Sequence, residues 1–304
     1  MSRHPLTNPI VDTPGVSDPH ALVVGDVVYL FTSHDVGFGV DDWVMPDWRI
    51  YRSSDLRTWQ HVGTIDPADT YLGAGHTDCW AGDAVMREGR CYFYFSNRGR
   101  ELGVAVAEAP EGPYVDALGG PLVDSFDPTV FVDVDGTHYL VYGIHDYWIA
   151  PLDASMTSFA EVPRRIALDR RGVFPSTDKN SLHHHDGLYY LSCSGYYATS
   201  RHLHGPYVHR GLVATGWGLD TPYAHGDFFT WRGDWYHVWC RYRDRRRDRI
   251  RDTFIAPVRY DADGAMRTDL SQLGNEPLGN EPLGDEPLGD EPRGVEPPPA
   301  GGAT

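Results

Sequence analysis

Four aspartates and one histidine recur at corresponding places, each at the start of a similar segment of the chain. In each segment a polar residue precedes a short β-forming run, a glycine-containing turn and a strand rich in aromatic residues. The five segments begin at Asp18, Asp83, Asp127, Asp178 and His225. Neighbouring carboxyl groups can divide acid and base roles, because their repulsion keeps one protonated while another is ionised. Hydrolysis of a glycosidic bond requires two carboxyl groups of this kind, so the pattern indicates that chemistry if the fold brings the segments together.

The elements that would position these residues are β-hairpins. The turns VGD, EGR, DGT, DGL and RGD each separate two apolar runs, which is typical of hairpins. The segments recur at roughly 45–65 residues, the spacing of four-stranded propeller blades. The sequence therefore predicts an all-β, five-bladed β-propeller whose innermost strands place the five polar residues at one opening of a central channel. An ordinary β-sandwich with several hairpins is the alternative.

The charge of the chain favours a neutral partner. The formal net charge is -17, from 43 acidic and 26 basic residues, and such a field repels nucleic acid and anionic membrane surfaces. No stretch has the length of a membrane span. The basic run from Arg241 to Arg251 is interleaved with Asp244, Asp248 and Asp252. It is therefore predicted to be a salt-bridged loop and not a nucleic-acid site.

The composition changes near the C-terminus. Residues 1–270 are predicted to form the propeller, and residues 271–304 a disordered acidic tail with a repeated Leu-Gly-Asn/Asp-Glu-Pro unit, which cannot form a core. No secretory signal is visible at the N-terminus. The four cysteines contain no C-x-x-C pair, so we expect reduced thiols and a cytoplasmic location, with two disulfides as the alternative.

The run His183-His184-His185 is not predicted to bind a metal. Successive side chains of a strand point to opposite faces, so three in a row cannot converge on one ion. Because the run precedes the Asp186-Gly187 turn, we expect a solvated hairpin end.

Longer stretches of the chain carry a resemblance to a known family. They are NPIVDTPGVSDPHALVVGDVVYLFTSHD, MPDWRIYRSSDLRTWQHVG, WAGDAVMREGRCYFYFS, GVAVAEAPEGPYVDALGGPLVDSFDPTVFVDVDGTHYLVYG and HGDFFTWRGDWYHVW. Over roughly residues 8–267 the chain resembles glycoside hydrolase family 43, the arabinofuranosidases and xylosidases of the five-bladed propeller class. One departure is Gly82, which stands where the family's Trp-Ala-Pro-Asp motif has proline.

The resemblance implies catalytic roles. Asp18 matches the family's general base, and Asp127 matches the aspartate that tunes the pKa of the acid and holds the sugar. Asp178 falls where the family has a glutamate as general acid, so its carboxyl group is one methylene shorter. Three alternatives follow: Asp178 is the acid on a differently placed backbone, a nearby histidine supplies the proton, or the protein only binds sugar.

The same resemblance implies roles for His225 and Arg251, and aromatic residues add candidates that rest on their apolar faces. His225 matches a histidine that faces a structural calcium ion or water in the channel; a histidine simply hydrogen-bonded there is the alternative. No cofactor is required. Trp43, Trp80 and Phe126 are candidates for the sugar platform or for plain packing. Arg251 matches an arginine that contacts the sugar in some members, with a surface arginine as the alternative.

The expected activity is removal of terminal sugars from oligosaccharides with inversion. α-L-Arabinofuranose is the first expectation for the sugar; the alternatives are a β-D-xylosidase, a β-D-galactofuranosidase or a non-catalytic sugar-binding propeller. The expected partner is an oligosaccharide, and the sequence carries no signal for an oligomeric state.

Overall fold

Five β-sheets, arranged as the blades of a ring, make up the part of the protein that the structure describes. The computed structural model describes residues 6–37, 43–169, 178–221, 224–244 and 249–274. Each sheet places its first strand beside the first strands of the two adjacent sheets. The all-β, five-bladed β-propeller predicted from the hairpin repeat is thus confirmed, and the β-sandwich alternative is excluded.

Each blade contains a four-stranded antiparallel meander. Blade 1 contains β1 (Val16–Val24), β2 (Val27–His34), β3 (Trp48–Ser53) and β4 (Gln60–Ile65). Blade 2 contains β5 (Cys79–Arg87), β6 (Arg90–Asn97), β7 (Glu101–Ala107) and β8 (Val115–Asp116). Blade 3 contains β9 (Thr129–Val132), β10 (His138–Tyr142), β11 (Trp148–Pro151) and β12 (Arg164–Arg165).

The last two blades complete the ring. Blade 4 contains β14 (Asn180–His185), β15 (Leu188–Cys193), β16 (Tyr196–Ser200) and β17 (Tyr207–Leu212), with the short β13 (Leu168–Asp169) parallel to β17 at its outer edge. Blade 5 contains β18 (Gly226–Trp231), β19 (Asp234–Tyr242), β20 (Arg251–Tyr260) and β21 (Met266–Thr268). Two short 3-10 helices, Pro67–Asp69 and Leu270–Gln272, lie outside the blades.

The hydrophobic core is divided among the blade interfaces. A single blade cannot bury both of its faces, so neighbouring blades must pack against each other. Five clusters of buried side chains do this, one between each pair of adjacent blades. Between blades 1 and 2, for example, the rings of Phe31 and Phe93 stack with centroids 5.5 Å apart.

Gly82 is explained by this packing. A Cβ atom at residue 82 would lie 2.5 Å from Cζ of Phe93 and 2.8 Å from the carbonyl oxygen of Tyr94. The Phe93 ring thus occupies the space that a side chain at this position would need. The glycine that replaces the family's proline therefore belongs to the aromatic interface between blades 1 and 2.

The N-terminal segment closes the ring. Asn8 exchanges two hydrogen bonds with the backbone of Ile255, donating from Nδ2 at 2.9 Å and accepting at Oδ1 at 2.7 Å. The backbone N–H groups of Ile10 and Gly15 donate to the carbonyl oxygens of Thr253 and Arg251. Residues 8–15 therefore run along the edge of β20 before the chain enters blade 1.

The structure also bears on the predictions for the C-terminal tail, the cysteines and membrane spans. The predicted start of the tail, at residue 271, falls inside the 3-10 helix Leu270–Gln272, and Leu273 packs against the core of blades 4 and 5. The rest of the predicted tail, residues 275–304, lies outside the described residues. All four cysteines are buried and free. None of the described residues forms a helix long and apolar enough to cross a membrane.

The prediction of a solvated end at His183–His185 is wrong for His183. This side chain is buried, its ring stacks on Tyr190 with centroids 5.0 Å apart, and its Nε2 lies 2.7 Å from the hydroxyl of Tyr260. The strand alternation that argued against a metal site is the reason: it turns His183 into the interface of blades 4 and 5.

Candidate active site

A pocket of about 410 Å³, including its open mouth, lies at one end of the central channel. All eight residues singled out as catalytic, sugar-binding or metal-binding line it, together with Met45, Ala81 and Ile144. The eight are Asp18, Trp43, Trp80, Phe126, Asp127, Asp178, His225 and Arg251. Acidic groups and aromatic rings share the wall of the pocket.

Two of the aspartates have an unusual backbone. Asp18 and Asp127 have positive φ angles of 47° and 57°, in the left-handed region that costs a non-glycine residue free energy. Both precede a proline, and both stand at the channel end of an inner strand. The shared conformation presents the two carboxyl groups in the same way from blades 1 and 3.

Arg251 joins two buried carboxylates. Its guanidinium forms a two-pronged ion pair with Asp18, with Nη2 donating to Oδ2 at 3.0 Å and Nη1 donating to Oδ1. Its Nε and Nη2 also donate to Asp35 at 2.9 and 3.0 Å. Arg251 is 1% exposed, so it is not the surface arginine of the alternative, and its hydrogen-bonding groups are directed at these carboxylates. Its guanidinium carbon lies 4.4 Å from the centre of the Trp43 ring, which it covers.

His225 lies between Asp18 and Asp178. Its Nε2 is 2.5 Å from Oδ1 of Asp178, and its Nδ1 is 2.7 Å from Oδ1 of Asp18, although this second contact lacks hydrogen-bond alignment. Burial alone lowers the pKa of His225, but the two carboxylates outweigh it and raise that pKa well above its ordinary value. The ring is therefore an imidazolium that bridges the carboxyl groups of Asp18 and Asp178.

The three aspartates differ in their electrostatic surroundings. Burial raises the pKa of Asp18, but the charges of Arg251 and His225 outweigh it and hold the pKa well below the ordinary range. Burial, followed by the repulsion of Asp178, raises the pKa of Asp127 to about 7 against the attraction of His225. An ionised carboxylate and a carboxyl group that holds a proton near neutral pH therefore line one pocket.

Asp83 does not join this group, which corrects the prediction that all five segment-initial residues converge. In β1 a bulge lies between Ser17 and His20, and in β5 a bulge lies between Trp80 and Gly82. The bulges place Ala81, not Asp83, at the pocket. Asp83 lies one layer deeper, where its Oδ1 is 2.8 Å from Nε2 of His20.

A buried lysine fills the channel below the pocket. Lys179 is 2% exposed, and its ammonium donates to the carbonyl oxygen of Pro128 at 2.9 Å and the hydroxyl of Thr129 at 3.2 Å. It also lies 3.4 Å from the carbonyl oxygen of Asn180 and 3.5 Å from Nδ1 of His20. The ammonium thus sits among the oxygen atoms that a hard cation would use.

The calcium ion expected at His225 does not fit these residues. Asp127, Asp178 and His225 do offer ligand atoms within 4.8 Å of one another. However, an imidazolium held between two carboxylates has no free lone pair for a metal, and calcium prefers oxygen ligands. Since Lys179 already supplies a positive charge one layer below, His225 is assigned to the hydrogen-bonded alternative.

Sequence reasoning missed Asp35 and Lys179. Asp35 follows β2 without any repeat to mark it, and its partner Arg251 is 216 residues away. Lys179 directly follows Asp178, so an unusual positive charge beside a predicted catalytic residue was the available signal.

The comparisons with known proteins agree with this architecture. The sequence profile described as "Glycosyl hydrolases family 43" matches residues 6–266. A xylosidase/arabinosidase of Bacteroides ovatus is 25% identical over 316 residues, covering 83% of this chain and 94% of that protein. An arabinoxylan arabinofuranohydrolase of Bacillus subtilis is 28% identical, covering 77% of this chain and 57% of that protein.

A solved structure shares the fold. The GH43_1 enzyme of Xanthomonas citri, complexed with xylotriose, superposes with a TM-score of 0.74 at 24% identity, covering 87% of this chain and 93% of that one. Since the family profile spans most of the propeller and the channel pocket holds the acidic residues that the motifs predicted, the chain belongs to glycoside hydrolase family 43 and is a glycosidase.

Proposed function

We propose that this glycosidase removes a single terminal sugar, α-L-arabinofuranose, from short oligosaccharides with inversion of configuration. The observation that carries the proposal is the pocket in which the same strained backbone presents Asp18 and Asp127. The pKa of Asp18 is held well below its ordinary range, whereas that of Asp127 is raised to about 7. The wall of the pocket combines carboxyl groups with the rings of Trp80 and Phe126, a combination that suits a sugar ring.

In this mechanism Asp18 accepts the proton of the attacking water. A second carboxyl group, from Asp127 or Asp178, protonates the glycosidic oxygen as the bond to the anomeric carbon breaks. Trp80 and Phe126 offer apolar faces on which a sugar ring can lie. Arg251 and Asp35 hold Asp18 in place, so the base meets the water in one orientation.

The choice of arabinofuranose is supported by the names of relatives. One similar protein is named as an arabinoxylan arabinofuranohydrolase, and another as a xylosidase/arabinosidase. The second candidate is β-D-xylose, since the Xanthomonas citri structure was solved with xylotriose.

Aryl glycosides of the three candidate sugars test the proposal. The 4-nitrophenyl glycosides of α-L-arabinofuranose, β-D-xylose and β-D-galactofuranose are compared by kcat/KM, and proton NMR identifies the first anomer released. We expect the arabinofuranoside to be the best substrate and its product to have the inverted configuration. Retention, or a higher kcat/KM on either of the other sugars, would contradict the corresponding part of the proposal.

A variant pair links the activity to this pocket. Asp18→Asn should abolish turnover of every substrate, because no base remains to activate water, while Asp135→Asn in an exposed turn should behave as wild type. Full activity of Asp18→Asn would remove Asp18 from the mechanism.

A further inference from the structure

The carboxyl groups of the pocket differ in how far they are already engaged. Both oxygens of Asp18 bind Arg251, and Oδ1 of Asp178 accepts hydrogen bonds from Nε2 of His225 and, at 2.9 Å, from the backbone N–H of Lys179. Asp127 is different: within the part of the chain that the structure describes, its carboxyl group makes no hydrogen bond. It nevertheless lines the pocket.

The backbone fixes Asp127 in this position. Its N–H donates to the hydroxyl of Ser96 at 2.9 Å, and its carbonyl oxygen accepts from Nδ2 of Asn180 at 3.1 Å. Its positive φ angle matches that of Asp18, whereas Asp178 is not among the described residues with this conformation. The carboxyl group of Asp127 is therefore held at the pocket by its main chain and remains available to a ligand.

The carboxyl group of Asp178 is held by His225 and not directed into the pocket by its main chain. An aspartate is one methylene shorter than the glutamate that the family places here, so it reaches less far into the pocket. Its oxygen is instead 2.5 Å from Nε2 of His225, an imidazolium that also neutralises part of the charge of Asp18. Because this oxygen already accepts from His225 and from the backbone N–H of Lys179, it is held away from a glycosidic oxygen in the pocket.

We propose that Asp127 donates the proton to the leaving group, and that Asp178 is a positioning residue that acts through His225. The two residues thus exchange the roles that the family resemblance implies. This inference rests on the proposed glycosidase function, and it names the acid within the same site.

Cleavage of the glycosidic bond in this scheme moves one proton from Asp127 and one proton to Asp18. Asp127 gives its proton to the glycosidic oxygen while the bond from that oxygen to the anomeric carbon breaks, and the oxygen keeps the electron pair. Water attacks the anomeric carbon from the opposite side and loses a proton to Asp18. The products are the free sugar and an alcohol, and solvent returns the proton from Asp18 to Asp127.

The charges around Asp127 suit this task. The charged groups that act on it are Asp18 and Asp178, which favour its protonated form, and His225 and Lys179, which oppose that form; burial is the largest influence. Together they raise its pKa to about 7, close to the pH at which a general acid works best. Removing the charge of Asp178 should lower that pKa.

Leaving-group dependence separates the two roles. An acid matters only where the departing oxygen needs a proton, so an alkyl arabinofuranoside is compared with the 2,4-dinitrophenyl arabinofuranoside. Asp127→Asn should lower kcat/KM on the alkyl substrate by about 10²–10⁴-fold and on the dinitrophenyl substrate by less than about tenfold. Asp178→Asn should lower kcat/KM by the same factor on both substrates. It should also move the alkaline limb of the pH profile to lower pH.

The opposite pattern would overturn the inference: selective damage by Asp178→Asn, or no selectivity in either variant. If Asp127→Asn does not fold by circular dichroism, Asp127→Glu takes its place. That variant keeps a proton donor, so it should keep the wild-type ratio between the two substrates with a shifted alkaline limb, and a changed ratio would count against the inference. A wild-type enzyme inactive on every glycoside would instead refute the proposed function.

Discussion

Replacing Arg251 with methionine would leave two buried carboxylates, Asp18 and Asp35, facing each other without the cation between them. Arg251 is 1% exposed and donates to both. Removing one partner of a buried ion pair costs about 3–5 kcal/mol, because the remaining charge stays desolvated. For a domain of this size that corresponds to a fall in Tm of roughly 6–20 °C.

The loss of stability in Arg251→Met should be larger at higher pH. With Arg251 present, the pKa of Asp18 is depressed, so its contribution to stability is complete above the ordinary carboxyl pKa and is lost as pH falls. Without Arg251, burial and mutual repulsion should raise the pKa of both aspartates. The folded variant then binds protons that the unfolded chain does not, so its stability falls as pH rises. The gap between variant and wild type should be wider at pH 8 than at pH 5.

Calorimetry or urea unfolding at pH 5 and pH 8 measures the loss of stability in Arg251→Met. Arg259→Met is the matched control. Arg259 lies in the same strand, but its side chain is 75% exposed and pairs with Asp269 at 2.7 Å. An exposed pair of this kind contributes about 0–1 kcal/mol. Equal losses in the two variants, or a pH-independent loss in Arg251→Met, would refute the reasoning.

Four further predictions concern the scaffold and the response of the enzyme to metal removal. Gly82→Ala should cost about 1–3 kcal/mol in urea unfolding, because its Cβ would lie 2.5 Å from the Phe93 ring, and a loss under about 0.5 kcal/mol would contradict this packing. Lys179→Met should cost about 2 kcal/mol by the same assay through the lost charged hydrogen bonds, and an unchanged stability would rule that out. Chelation of the wild-type enzyme should change neither activity nor Tm; a loss restored by calcium would show that Lys179 does not replace a metal. Deleting the chain after Gly274 should leave Tm and activity unchanged, and a fall in either would show that the repeats contact the propeller.

The blades could be predicted because their signals are local. A glycine turn between two apolar runs specifies a hairpin without reference to the rest of the chain, and five of them leave few architectures. The convergence of Asp18, Asp127 and Asp178 then followed from the ring. Asp83 was misplaced because a bulge shifts its strand by one position, and the sequence does not mark where a bulge falls.

Contacts that depend on ring closure could not be predicted. Arg251 meets Asp35 only because blade 5 returns to blade 1, and no motif links residues so far apart. The cationic environment of Asp127 is of the same kind, since Lys179 and His225 belong to different blades. The sequence therefore placed Asp127 in the site but could not specify its electrostatic surroundings.

The N-terminal segment on β20 has a consequence for how the protein can be cut. Residues 8–15 cover strand edges that would otherwise expose unpaired N–H and C=O groups beside Arg251. An uncovered edge is a template for pairing with another chain. A protein that begins at Val16 would keep all five blades yet leave this strand edge unpaired next to Asp18, and would be prone to self-association. Affinity tags and cleavage sites on this enzyme therefore belong upstream of Asn8.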